Sequence, residues 1–179
     1  MPLYKILSET PELEKLVYEA ASQLQGRTEI PIKEEGTLFE YQWTDECSNL
    51  VREFSKTKVG DVRSALERGA DAKISKQRPA DPTVLLLEIG WLATTKSEIA
   101  VLISLPTPKD AIKKAKLQAR SDVAGDNNRS ETELPPGSIV LVFECVCFRM
   151  VPAEIPFVVI KFLTSPLERI ESGEHGGGI

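Results

Sequence analysis

The stretch from 138 to 166, SIVLVFECVCFRMVPAEIPFVVIKFLTSP, constrains the fold of this chain more than any other. In an extended conformation Ile139, Leu141 and Phe143 lie on one face and the intervening valines lie on the other. Strands that are apolar on both faces are buried within a sheet that is covered on both sides. The charged residues and prolines that interrupt the stretch argue against a membrane-spanning helix, which needs about twenty mostly apolar residues. We therefore predict two buried strands, at 138–150 and 156–164.

Two of the three cysteines, Cys145 and Cys147, lie two residues apart in this stretch and share a face if the strand is continuous. A disulfide between them fits poorly with an extended strand, whose alternate side chains run parallel. A metal site needs further ligands, and the single histidine, His175, lies in the glycine-rich tail. We predict that Cys145 is buried, reduced and metal-free, and that the chain has no cofactor. Glu144 is interpreted as a salt-bridge partner or a residue at the sheet margin, with an acid of a functional site as the alternative.

The composition sets bounds on the class of protein. With 179 residues, of which 41% are hydrophobic and 27% charged, the chain can bury a core as one globular domain. We predict a domain at 1–170, with a helical part at 1–70, a sheet-rich part at 80–166 and a flexible tail at 171–179. The net charge of −5 argues against a surface that is basic throughout. The odd cysteine count and the absence of an apolar leader predict a soluble protein in the cytoplasm.

Helix and strand signals suggest the fold class. Thr10 and Thr44 are placed to cap helices that end near Gly26 and Lys58, and a third helix is predicted at 61–68. Further strands are predicted at 38–43, 83–93 and 97–105, and the short TTKS turn indicates that the last two form a hairpin. These elements predict an α+β or layered α/β fold. In it, a mixed sheet of four to five strands carries helices on one or both faces, and a helical N-terminal segment completes the domain.

Residues 107–122 are predicted to form a fourth helix with a basic stripe. Lys109, Lys113, Lys116 and Arg120 recur at helical spacing. The stripe is a candidate for binding nucleic acid or an acidic partner, and the alternative is a solvated helix face. The polar segment that follows, at 123–137, is predicted to be a long mobile loop.

The order of strand, turn, strand, helix DAIKKAKLQA and strand SIVLVFE resembles the core of the PD-(D/E)XK nuclease superfamily over about 70 residues. In that comparison Asp81 takes the place of the first acid. Ile103 and Leu105 stand where the family has its Glu and Lys, and the D-x-K of Asp71 and Lys73 precedes the strands. Without the Glu and Lys a divalent metal is not held, so the resemblance implies a non-catalytic version of the fold.

The chain contains no P-loop, GxGxxG, HExxH or GxSxG motif. From this absence we predict that it is not an enzyme but an interaction or assembly module (an adaptor, an inhibitor or a structural protein). Its predicted partner is another protein or a second copy of the chain. A nucleic-acid-associated protein that uses the basic helix is the first alternative, and a hydrolytic enzyme whose acids the sequence does not reveal is the second.

Overall fold

Strands make up most of the regular structure. The computed structural model describes residues 2–30, 37–69, 72–75, 80–106, 115–135, 137–152 and 155–166. Within these ranges the helices are α1 (Pro11–Gln23), α2 (Asp45–Thr57) and α3 (Val59–Gly69). The strands in the same ranges are β1 (Tyr4–Leu7), β2 (Arg27–Ile30), β3 (Thr37–Tyr41), β4 (Ala72–Ile74), β5 (Thr83–Ile89), β6 (Leu92–Ala93), β7 (Glu98–Ser104), β8 (Ala115–Ser121), β9 (Arg129–Leu134), β10 (Ile139–Val142), β11 (Val146–Val151) and β12 (Phe157–Pro166).

The strands of the described residues form two antiparallel sheets. The larger sheet has eight strands in the order β1-β10-β7-β12-β5-β3-β2, with β4 paired to β12. The smaller sheet has four strands in the order β6-β11-β8-β9. From β5 to β12 the chain passes back and forth between the sheets, so that each receives four of these eight strands. As a result β5 and β7 are not neighbours in the large sheet, because β12 lies between them and pairs with both.

The apolar alternation of β7 shows how the layers are arranged. Ile99, Val101 and Ile103 belong to a buried cluster that includes Leu13 and Val17 of α1, Leu50 and Phe54 of α2, and Leu66 of α3. The alternate residues Ala100 and Leu102 belong to a second cluster with Leu117 and Phe148 of the small sheet. The large sheet therefore lies between a helical layer and the small sheet, and its central strands are buried on both faces, as the continuous apolar run of β10 predicts.

The predicted N-terminal helices are confirmed. The Thr10 hydroxyl accepts a hydrogen bond from the Leu13 amide at 3.3 Å, and Pro11 occupies the first turn of α1. The Thr44 hydroxyl accepts one from the Cys47 amide at 3.2 Å at the start of α2. In the described residues no helix is long and apolar enough to cross a membrane.

The predicted fold class is wrong. The region that was predicted as a helical N-terminal segment contributes β1, β2 and β3 to the large sheet, and the described strands far exceed the four or five expected. The predicted hairpin of 83–105 is also wrong, because β12 separates its two strands. The described part of the predicted fourth helix is β8, which pairs with β9 and β11. This replaces the strand-helix-strand order on which the nuclease resemblance rested.

The predicted continuous strand at 138–150 is two strands in different sheets. The chain turns at Glu144 and Cys145, where Cys145 adopts a φ of 54°. Thr94, which is buried, braces this corner: its hydroxyl donates to the Phe143 carbonyl at 2.6 Å and accepts from the Val146 amide at 3.0 Å. Cys145 is therefore half-buried at a turn, and the prediction that it is buried within a strand is wrong.

Candidate anion-binding site

The outer face of the small sheet carries the chain's densest group of described arginines. Along β8 the side chains alternate, with Leu117 and Ala119 buried against the large sheet and Lys116, Gln118 and Arg120 turned outward. Neighbouring strands place Arg149 of β11 opposite Gln118, and Arg129 of β9 opposite Arg120. A face that points away from the core thus collects cations from three strands.

Two of these arginines contact one indole ring. The Cζ atom of Arg120 lies 4.5 Å from the centroid of the Trp91 ring, and that of Arg149 lies 4.7 Å from it. Guanidinium groups at this distance are attracted to the electron-rich face of an indole. Trp91 therefore positions both cations without neutralising them.

Arg120, Arg129 and Arg149 lack carboxylate partners. In the ranges that the structure describes, none of them forms an ion pair, whereas Arg27, Lys161 and Lys116 pair with Glu88, Glu98 and Glu131 respectively. Arg120 and Arg129 are direct cross-strand partners, an arrangement in which like charges destabilise a sheet. The sequence thus places positive charges together at a cost in stability.

Glu131, the carboxylate that lines the cleft, already has partners. Glu131 accepts a hydrogen bond from Gln118 Nε2 at 2.6 Å and pairs with Lys116 Nζ at 3.0 Å. The bond from Gln118 and then the ammonium of Lys116 hold the pKa of Glu131 below its usual range, and the same contact raises the pKa of Lys116. Gln118 also accepts a bond from Arg149 Nε at 2.7 Å. This network fixes Arg149 while leaving its terminal nitrogens available.

These side chains border a cleft of about 350 Å³, which we call the arginine cleft. It is lined by Trp91, Gln118, Ala119, Arg120, Arg129, Ser130, Glu131 and Arg149. A second cleft of about 250 Å³, formed by the β8–β9 turn, shares Arg120 and Arg129 with it. The three unpaired guanidinium groups and the indole give the arginine cleft the chemistry of an anion site with an apolar floor.

The thiol of Cys147 lies beside Arg120 on the same face. Its Sγ donates a hydrogen bond to Asp122 Oδ1 at 3.3 Å. Burial, followed by the hydrogen bond to Asp122, raises the pKa of this thiol, so it is protonated at neutral pH. It therefore adds no negative charge beside the arginines.

The structure brings together half of the predicted basic stripe. Lys116 and Arg120 lie on one face of β8, since an offset of four residues is even and returns to the same side of a strand. Lys109 and Lys113 lie outside the described residues. The sequence analysis missed Trp91, Arg129 and Arg149. The alternation KLQAR at 116–120 was the available signal for an exposed strand face.

Two other sequence predictions concern acids and metals. Glu144 accepts a hydrogen bond from the Thr164 hydroxyl at the corner between the sheets, which agrees with its interpretation as a residue at the sheet margin. Within the described residues, no three His, Cys, Asp or Glu side chains are grouped so that they could hold a metal ion. The prediction that the chain binds no metal or cofactor remains a prediction.

Comparison with solved structures identifies the fold. The chain is similar to a prolyl hydroxylase from Trichoplax adhaerens, solved in complex with a peptide from the oxygen degradation domain of hypoxia inducible factor. The TM-score is 0.56 at 9% identity, over 90% of this chain and 83% of that one. It also matches the CENP-C cupin domain of Drosophila melanogaster with a TM-score of 0.30 at 7% identity, over 89% and 85% of the two chains. No family model and no curated protein matches the sequence.

The similarity to the hydroxylase shows a cupin-like or jelly-roll-like double sheet. This similarity contradicts the prediction that the chain is an interaction or assembly module. That prediction rested on a different fold and on the absence of catalytic motifs, whereas the similar protein from Trichoplax is an enzyme. The nuclease-like alternative is overturned with the fold class. Whether this chain is itself an enzyme is not tested by a likeness of fold, so the prediction that it is not one stays a prediction.

Proposed function

We propose that the chain binds a small anionic ligand in the arginine cleft. The observation that carries the proposal is the set of three arginines without carboxylate partners, in a chain whose net charge is −5. Elsewhere in the sheets, Arg27 is paired with Glu88 and Lys161 with Glu98. Here an external anion would supply the missing counter-charge.

The size and lining of the cleft favour a small ligand over a long polyanion. About 350 Å³ is within the range of small-molecule sites. The acidic residues of the rest of the surface would repel a nucleic acid beyond this patch. We propose that Arg120, Arg129 and Arg149 contact the ligand directly. Of the predicted stripe, Arg120 is thus retained as a direct contact, and Lys116 contributes indirectly through its ion pair with Glu131.

The proposed role is binding, and the proposed location is the cytoplasm. The acid that lines the cleft, Glu131, is held in its ionised form by Gln118 and Lys116, which makes it a poor proton donor at neutral pH. All three cysteines are free thiols, as expected of a protein in a reducing compartment.

Isothermal titration calorimetry of the full chain with inorganic pyrophosphate and with citrate tests the proposal. We expect saturable binding of both anions, weakened by added salt. Arg149→Gln should reduce affinity about 10- to 100-fold, since a hydrogen bond to a charged group contributes about 1.5–3 kcal/mol. Arg149→Lys, which keeps the charge, should recover part of the loss.

Arg27→Gln is the matched control. Arg27 also lies over an aromatic ring, 4.3 Å from the centroid of Phe39, but it is paired with Glu88 at 3.0 Å on the large sheet. Its loss should leave anion binding unchanged. Equal affinities for wild type and Arg149→Gln, with both proteins folded by circular dichroism, would refute an anion site in the arginine cleft.

A further inference from the structure

The arrangement of the three arginines also indicates which kind of anion the cleft holds. A carboxylate offers two oxygens and one negative charge, which a single guanidinium fork can satisfy. A phosphomonoester offers three strong acceptor oxygens and about −1.5 to −2 charges at neutral pH. Three unpaired guanidinium groups on neighbouring strands match the second ligand in both charge and number of donors.

The floor of the cleft adds a requirement for a flat apolar group. Trp91 is half-buried and lines the cleft. The guanidinium groups of Arg120 and Arg149 lie over the Trp91 ring, and guanidinium planes are surfaces on which nucleobases stack in proteins. We infer that the ligand of the arginine cleft is a small phosphomonoester that carries a planar ring, of the nucleoside monophosphate class. This inference rests on the proposed function.

The protein groups around the cleft keep their charge over the pH range in which such a ligand titrates. Glu131 has a lowered pKa, and Lys116 and Cys147 have raised ones, so their charge states are fixed between about pH 5 and pH 8. Asp122 and Glu133 also lie on this face. The second ionisation of a phosphomonoester, near pH 6, is therefore the main change in charge expected.

Calorimetric titrations of the full chain with adenosine monophosphate and with cyclic adenosine monophosphate test the inference. The cyclic compound is a phosphodiester with the same base and one fixed charge. At pH 7.5 we expect the monoester to bind about tenfold or more tightly than the diester, and at pH 5.0 this advantage should shrink about tenfold because little dianion remains.

Two further ligands test the planar ring and the source of the phosphate. Ribose 5-phosphate should bind about fivefold or more weakly than adenosine monophosphate, because it cannot stack. A phosphotyrosine peptide should bind less tightly than the nucleotide, and tighter binding of the peptide would overturn the nucleotide assignment. Arg120→Gln should remove the pH-dependent advantage of the monoester, and Arg27→Gln should preserve it.

The outcomes separate the two proposals. If monoester and diester bind equally at both pH values while pyrophosphate and citrate still bind, the inference fails and the anion site stands. If pyrophosphate, citrate and the nucleotides all fail to bind, both are overturned.

Discussion

Leu117→Ala tests the strand assignment of the segment where sequence and structure disagree most. Leu117 is 0% exposed on β8, opposite Met150 of β11, and belongs to the cluster between the two sheets. Truncating a fully buried leucine costs about 2–5 kcal/mol, part of it for the cavity that remains. A domain of this size has a total stability of about 5–15 kcal/mol, so the loss is a large fraction of it.

The expected change in melting temperature follows from the same figures. At about 2–4 °C per kcal/mol for a chain of this length, a loss of about 3 kcal/mol lowers the melting temperature by about 6–12 °C. Urea unfolding at constant m-value should give the same loss of free energy. Leu117→Met, which conserves volume, should cost less than about 1.5 kcal/mol. A shift below about 2 °C for Leu117→Ala would show that residue 117 does not lie between the sheets.

Three further predictions concern the corner, the arginine cleft and Glu9, which precedes α1. Cys145, which is half-buried at a turn, should react with a thiol reagent in the native protein well before the buried Cys147. The reaction of Cys147 should accelerate as the pH rises, because the pKa of its thiol is raised. Equal reaction rates for the two thiols would contradict the placement of Cys145 at the corner. Glu131→Gln should tighten citrate binding about twofold at low salt, because it removes a negative charge beside the arginines, and weaker binding in calorimetry would contradict this. Glu9 has a pKa raised by burial and by Glu14, so the folded state binds its proton more tightly and stability falls as pH rises through that pKa. Glu9→Gln should therefore raise the urea midpoint at pH 7 and leave it unchanged near pH 3.

The local signals in the sequence predicted the helices well. Thr10, Pro11 and Thr44 act within a few residues of where they lie, so a cap can be recognised without knowledge of the fold. The continuous apolar run of β10 likewise predicted burial on two faces. In each case the deciding interaction is set by the composition of one segment.

The strand β8 could not be assigned in this way. Ala115 and Ala119 favour a helix, and the offset of four between Lys116 and Arg120 fits one face of a helix and of a strand alike. The strand forms because β9 and β11 supply hydrogen-bonding partners on both sides. Of these two partners, β11 is distant from β8 in the sequence. Pairing with it overrides the local helix propensity of β8.

The corner at Cys145 had a visible signal that was interpreted too narrowly. Glu144 is the single charged residue within the apolar run from 138 to 148, and it marks the place where the chain leaves one sheet for the other. A buried strand cannot easily hold a carboxylate, whereas a corner can give it a partner such as Thr164. Recognising the break would have predicted two sheets, because strands on either side of a corner need different partners.

The difference between the two sheets explains why the candidate site lies where it does. The large sheet is packed against helices on one face and against the small sheet on the other. The side chains on both of its faces must therefore fit a close-packed interior. Among the described elements none packs on the outer face of the small sheet, and side chains there are free to serve solvent or a ligand. On a solvated face the pairing of Arg120 with Arg129 is unfavourable, because like charges opposite each other destabilise a sheet. Core packing does not require these residues, and the repulsion between Arg120 and Arg129 opposes the arrangement, which is why we propose that this face binds an anion.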